Sequence, residues 1–394
     1  MKNQLASKKV KAKQTTLVGL DVGFGALKYI SNAHPYLTAI PSAVVPGKYK
    51  TSNKLVGSKE IDPENLVVVT EEGTFTVGQL ALKVPNTTTK RTVVRDRAND
   101  VFSKVLFQTG LAMAVPHESG EYDVFLVTGL PNKDFELSIK DNLEEFLNKS
   151  FKISFPVNGG NEITKTINVV GLEIMRQPEG AVTYNQFTFS PEEFLMPSEN
   201  AKNFIGIIDC GHFTTDYSLF RDGVIMEDAI TSNSTVAVND VYKRLRKVLT
   251  IKFDKLGYTE YQAEEEDLDN AVLTGKVEYV EEHDVSKEVE ECVKTVAKII
   301  AKDILDAWGN ETNRVQTILL SGGGSALFSD ALKQEFEDRK KRGFEVLDVA
   351  QFSNVLGYYM YGCIALTDEK EQAEVFSEFV EPVFSADEEV AETE

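Results

Sequence analysis

An α/β protein made of two similar domains is what this sequence predicts. Three observations carry that reading. Strand-like and helix-like apolar periods alternate along the chain. An apolar strand, Asp-x-Gly and a second strand-like run occur together twice, in "TTLVGLDVGFGALKYI" and in "KNFIGIIDCGHFTTDYSLF". A third stretch, "VQTILLSGGGSALFSDALKQEF", runs from a strand through three glycines into an amphipathic helix.

Residues 1–16, "MKNQLASKKVKAKQTT", are basic and polar with no apolar core, which predicts a disordered tail rather than a secretory signal. In each Asp-x-Gly unit the second strand follows too soon for a helical crossover, so an antiparallel hairpin is expected. Aligned on Asp21 and Asp209, the two units predict two domains that face each other. The first spans 17–180, with a less regular insert at about 34–100 marked by the turn signals "PGKYKTSNK" and "IDPEN". The second spans 181–345, with an insert at about 235–310. That insert holds the helix "SKEVEECVKTVAKIIAKDILDAWGN", capped by Ser286, striped by Val289, Val293, Val296, Ile300 and Ile304, and ended by Gly309 in the left-handed conformation. Residues 346–366 return to the first domain, and 367–394 form an acidic tail ending "FSADEEVAETE".

Composition narrows the function. No apolar run reaches about 18 residues, so no membrane-spanning helix is expected. Cys210, Cys292 and Cys363 are odd in number and far apart, which fits neither a disulfide framework nor a zinc site and points to a reducing cytoplasm. The four histidines show no metal-binding spacing. A net charge of -20 repels nucleic acid, so the folded body is not expected to hold DNA directly.

The chemistry sits in the three turns. Glycine turns after strands present backbone N–H groups with no side chain in the way, and successive N–H groups form a concave anion site suited to phosphate. Lys28 adds a movable cation on the returning strand. Asp21 and Asp209 end equivalent strands and face each other, an arrangement that calls for a cation or water between them; Mg²⁺, which keeps most of its waters, suits it. The sequence has no Walker-type G-x-x-x-x-G-K-[ST] and no G-x-G-x-x-G, which excludes a P-loop and disfavours a dinucleotide fold.

These stretches resemble the actin/DnaK/sugar-kinase ATPase superfamily. "GLDVGFGALK" is similar to its first phosphate loop, "GIIDCGHFTTDYS" to its second and "ILLSGGGSALF" to its adenosine loop. "AIPSAVVPG", "VFLVTGLP" and "QFSNVLGYYMYG" resemble bacterial actin-like plasmid-segregation proteins of the ParM/StbA type. The resemblance covers roughly residues 17–365 and implies an actin-like ATPase fold with ATP and Mg²⁺ between the domains. It gives Gly23, Phe24 and Gly25 backbone contacts to phosphate, Lys28 an ammonium contact, and Asp21 and Asp209 the metal. It wraps the phosphates in Gly211, His212, Phe213, Thr214 and Thr215. Gly322, Gly323 and Gly324 approach adenosine, with Ser325 opening the next helix. In the connecting segment "MRQPEGAVTY", Gln177 is the first choice for orienting the attacking water and Glu179 the second, as a carboxylate base. Two positions depart from the family: Phe24 stands where Ser or Thr is common, and His212 and Phe213 fill a loop that is usually smaller. Lys243 is placed near the adenosine side but reads as a solvated lysine.

The function implied is an ATP-dependent filament protein that assembles head to tail and segregates a plasmid through a DNA-binding adaptor. The alternatives are a sugar-type kinase, for which no separate substrate motif is evident, and another bacterial actin-like cytoskeletal protein. A DnaK-type chaperone is disfavoured, since little chain follows "YYMYGCIAL".

Overall fold

The computed structural model describes residues 15–49, 60–84, 91, 94–135, 138–157, 161–202, 204–227, 231–233, 236–337 and 343–384. Most of the expected tail 1–16 therefore lies outside the described residues, and Thr16 already belongs to the first strand.

Both expected hairpins form, and each sits in a sheet with the same local order. In the first domain β1 (Thr16–Val22) pairs antiparallel with β2 (Ala26–Ser31), which pairs with β3 (His34–Pro41). On its other side β1 runs parallel to β7 (Gly120–Leu130), and β7 parallel to β9 (Glu162–Arg176). The sheet continues from β9 through β8 (Ser150–Pro156), β5 (Leu66–Thr70), β6 (Gly73–Val77) and β4 (Val44–Pro46). In the second domain β12 (Phe204–Cys210) pairs antiparallel with β13 (Thr215–Arg221) and parallel with β18 (Thr317–Ser321), which runs parallel to β19 (Gly343–Val346). β14 (Val224–Ile225) and β15 (Thr231–Asn233) both pair with β13. Two hairpins stand apart, β10 (Phe187–Ser190) with β11 (Phe194–Pro197) and β16 (Lys276–Tyr279) with β17 (Glu281–Asp284).

The near-continuous apolar runs in β1 and β12 follow from burial on both faces, as parallel neighbours require. Val18, Leu20 and Val22 pack on the helix Val101–Met113, while Leu17 packs on the helix Ser353–Leu366. Phe204, Ile208 and Cys210 face the helices Val238–Lys255, Ser286–Trp308 and Ser325–Glu337; Ile205 and Ile207 face the helix Gln177–Gln186.

Two of these helices, Gln177–Gln186 and Ser353–Leu366, exchange domains. Gln177–Gln186 follows β9 of the first domain yet packs Ala181 and Val182 on the second domain's sheet. Ser353–Leu366 follows β19 of the second domain yet packs Val355, Tyr358 and Tyr359 against Leu17, Ile30 and Val127 of the first. Where they cross there is no room for a side chain on either. A Cβ on Gly357 would lie 1.7 Å from the Gly180 carbonyl oxygen, and one on Gly180 would lie 2.7 Å from that of Asn354.

Some expectations need correction. β3 belongs to the main sheet, so the first insert begins after Pro41 rather than at about 34, and its strands extend the same sheet instead of forming a separate unit. The tail expected from 367 is folded as far as Phe384. Val375, Phe379, Val380 and Val383 are buried, and the Tyr359 hydroxyl donates to the Phe379 carbonyl at 2.7 Å, so the apolar residues among the acidic ones decide the outcome. The rest of that tail lies outside the described residues. Ser286 does not cap its helix: Asp284 Oδ1 accepts from the Ser286 N–H at 2.9 Å. Gly309 does have positive φ, +49°, but its ψ of -126° lies outside the left-handed helical well. All three cysteines are buried and unpaired.

The crossing sets a test. Gly357→Ala forces a methyl into backbone that cannot retreat, and should cost about 3 kcal/mol or more, at the upper end for overpacking. Denaturant unfolding of the full chain measures it, and an unchanged midpoint would show that the helices can part without loss.

Candidate nucleotide cleft

The ends of β1 and β12, the two hairpin turns, and the starts of both exchanged helices converge on a cavity of about 330 Å³ between the domains. Asp21, Gly23, Phe24, Gly25, Lys28, Gln177, Asp209, Gly211, His212, Thr214, Gly322, Gly323 and Gly324 all line it. Most of the residues singled out from the sequence therefore meet, although they come from four separate stretches of chain.

The two hairpin turns close in the same way. Gly23 N–H donates to the Ala26 carbonyl at 3.1 Å, and Gly211 N–H donates to the Thr214 carbonyl at 2.8 Å. These two N–H groups are thus spent on the turn and are not offered to phosphate, contrary to expectation for Gly23. The N–H groups of Phe24, Gly25, His212 and Phe213 make no hydrogen bond among the described residues. Ser42 takes up the first loop's carbonyls, its N–H bonding Gly25 O at 3.0 Å and its hydroxyl Gly23 O at 2.6 Å. The two loops touch: a Cβ on Gly25 would lie 3.0 Å from that of His212, and the Phe24 and Phe213 rings meet edge to face at 5.9 Å.

Asp21 and Asp209 are both buried. Lys28 Nζ donates to Asp21 Oδ2 at 3.3 Å, and Gln177 Nε2 donates to Asp21 Oδ1 at 3.1 Å. Asn354 Nδ2 donates to Asp209 Oδ2 at 2.6 Å. Each amide is close to the start of an exchanged helix, so the helix crossing positions both aspartates. Burial raises the Asp209 pKa, the Asn354 bond and the Lys28 charge lower it, and Asp21 raises it again. Neither Asp209 Oδ1 nor Gln177 Oε1 accepts a hydrogen bond among the described residues.

A third carboxylate answers the same crowding differently. Asp216 lies directly across the hairpin from Asp209, where like charges oppose each other. Burial first, then Asp209, pushes its pKa up to about 7 against the pull of the Asn132 N–H, which bonds its Oδ1 at 3.1 Å. Asn132 also donates from Nδ2 to the Ser218 hydroxyl at 2.9 Å, tying the first domain to the second below the cleft.

The other end of the cavity is more apolar. Val238, Val272, Leu273 and Leu327 line it with Tyr242, whose hydroxyl bonds Asp269 at 2.5 Å. The three glycines of the third loop differ in their reasons. Gly322 has φ +87° and its Cβ would lie 2.2 Å from Asp209 Oδ1, so no side chain is possible there; Gly323 has nothing within 4 Å and stands open. Arg91 NH1 lies 3.3 Å from His212 Nε2 and 3.8 Å from Glu265. Burial and then Arg91 push the His212 pKa down to about 3, so the ring is neutral.

Four expected site residues lie off the cavity wall. Phe213 packs on Phe24 and His212. Thr215 is buried and donates to the Val236 carbonyl at 2.8 Å. Ser325 donates to the Gly322 carbonyl at 2.8 Å. Glu179 caps its own helix, its Oε2 accepting from the Arg176 N–H at 2.9 Å. Lys243 is exposed beside Asp240. Sequence reasoning missed Arg97, Asn354, Tyr242, Asp269 and Asp216. Of these only Asp216 had a local signal, since it stands to Asp209 as Lys28 stands to Asp21.

Two family models match the chain, an N-terminal domain of actin-like proteins over residues 19–180 and the C-terminal domain of archaeal MreB-like actin homologues over residues 207–334. Among solved structures, a 15-stranded ParM filament from Clostridium botulinum is 22% identical with a TM-score of 0.71, covering 89% of this chain and 99% of that one. An archaeal actin homologue is 22% identical, with a TM-score of 0.68 and coverage of 89% and 100%. ParM from Bacillus thuringiensis with ATP is 15% identical, with a TM-score of 0.61 and coverage of 91% and 100%. No curated protein sequence matches. The fold is the actin-like ATPase fold. Among the described residues no helix is long and apolar enough to cross a membrane.

The raised Asp216 pKa has a definite sign. Folding binds a proton there between about pH 4 and 7, so the site's contribution is fully present below pH 4 and is lost as pH rises through 7. Asp216→Asn keeps the acceptor for Asn132 and removes the charge. It should raise stability over wild type by on the order of 2–4 kcal/mol at pH 8, and by little at pH 4.5. Urea unfolding at both pH values checks this; a pH-independent difference contradicts it.

Proposed function

The chain is an actin-like protein, and from that premise we propose that it is an ATPase that assembles head to tail into filaments and moves plasmid DNA. One observation carries the ATPase reading. Free N–H groups of two matched glycine turns, Lys28 and two buried aspartates share one end of a cavity whose other end is apolar. That polarity suits a nucleoside triphosphate, with phosphates on the loops and the base between Tyr242, Leu273 and Leu327.

Mg²⁺ fits the donor set, because Asp209 Oδ1 accepts no hydrogen bond among the described residues and Asp21 stands opposite it, so both carboxylates can hold the ion through its waters. When bound, Mg²⁺ neutralises charge on the β- and γ-phosphates. Lys28 does the same from the first domain. Gln177 donates to Asp21 through Nε2, which orients its Oε1 to accept from the attacking water. In-line placement of that water is the main work the protein must do.

The phosphates would bridge the first-domain and second-domain loops, so bound ATP favours a closed cleft and hydrolysis removes the γ-phosphate link. Heterologous contacts that do not close into a ring give filaments. The filament among the ParM neighbours supports this reading, as does the ATP complex of another. At a net charge of -20 the cargo is reached through a basic DNA-binding adaptor, in the cytoplasm.

Sedimentation with Mg²⁺ and ATP tests assembly: the chain should pellet with ATP and return to the supernatant as ATP is consumed. A monomer at every concentration rules out the filament. Asp209→Ala should abolish hydrolysis. Gln177→Ala should slow it about 100-fold while leaving ATP-dependent assembly. Normal hydrolysis by Gln177→Ala would remove Gln177 from the mechanism.

A further inference from the structure

Arg97 lies in a short 3₁₀ turn, Arg97–Asn99, just ahead of the helix Val101–Met113. It is 2% exposed and lines the cleft. A buried arginine is costly unless a carboxylate answers it, yet Arg97 makes no ion pair among the described residues. The carboxylates around it are otherwise engaged. Asp21 is held by Lys28 and Gln177, Asp134 by Arg95, and Asp216 by the Asn132 N–H. One NH group bonds the Val22 carbonyl, immediately before the first phosphate loop. Nε has no hydrogen-bond partner among the described residues. The guanidinium lies over the Phe24 ring, 4.8 Å from its centroid, and that ring meets Phe213 of the second loop.

Resting on the ATP reading above, we propose that Arg97 is a cation for the terminal phosphate of the nucleotide, held beneath the first phosphate loop by the face of Phe24. Phe24, at the position where a hydroxyl contact is lost, thereby brings a fixed positive charge in its place. A planar guanidinium stacked on a ring keeps its orientation in a way that an ammonium does not. Phe24 also touches Phe213, so the second domain's loop packs on the ring that seats the cation. Arg97 thus distinguishes triphosphate from diphosphate, where Lys28 serves both.

The test compares affinities of the full-length chain for ATP, ADP, and ADP with beryllium fluoride, by competition against a fluorescent ATP analogue in Mg²⁺. Arg97→Lys should bind ADP within about 3-fold of wild type but lose about 10- to 100-fold for ATP and for ADP with beryllium fluoride, the range of one charge-assisted contact. Equal losses for ATP and ADP, or no loss, overturn the proposal. If Arg97→Lys does not fold, Phe24→Leu keeps the guanidinium and removes only its ring. The ATP-to-ADP affinity ratio should then fall at least about 3-fold, within the range of a buried cation–π contact, and an unchanged ratio overturns the proposal. Wild type that binds neither nucleotide overturns the ATP reading and this assignment with it. Wild type that binds both, with an unchanged ratio in the variants, overturns Arg97 alone.

Discussion

Two helices touching backbone to backbone at Gly180 and Gly357 hold the two domains of this molecule together. Each helix starts from one domain and is buried against the other, so neither domain can leave without dragging apolar surface into water. The crossing also decides where Gln177 and Asn354 stand. These two amides, from opposite domains, reach the two aspartates at the cleft floor. Site geometry and domain connection are therefore one feature of the fold.

The cleft floor collects more negative charge than a protein interior tolerates unaided. Asp21, Asp134, Asp209 and Asp216 are all buried, and each unanswered charge would cost several kcal/mol. The fold meets this in three ways: with cations at Asp21 and Asp134, with an amide at Asp209, and with a raised pKa at Asp216. Amide donors compensate less than cations do, which leaves Asp209 the carboxylate most in need of a further positive partner.

Much of this was legible in the sequence because it is local. A strand, Asp-x-Gly and a returning strand define a hairpin without outside help, and finding the pattern twice predicted two domains. Gln177 came into view only because "MRQPEGAVTY" resembles the family's connecting segment. What stayed hidden depends on tertiary proximity. Arg97 sits in "RDRAND" among other charges, and nothing in that string distinguishes a buried cation from a solvated one. Asn354 was quoted inside "QFSNVLGYYMYG" but has meaning only once its helix crosses to the other domain. The capping role of Glu179 is of the same kind: a carboxylate three residues into a helix suits a site and the helix end equally well on paper, and here its Oε2 accepts from the Arg176 N–H at the helix end.

The hairpin turns are near copies, closed by the same hydrogen bond, and their strands pair in the same register. Asp21 faces Lys28 in one, and Asp209 faces Asp216 in the other. A perfectly twofold cleft would treat both sides of a phosphoryl group alike and could not tell entering oxygen from departing oxygen. At this cross-strand position the two halves differ in charge, with a permanent cation in one and an acid poised near neutrality in the other. The two hairpins are thus alike in backbone and unlike in the charge that stands across from the aspartate.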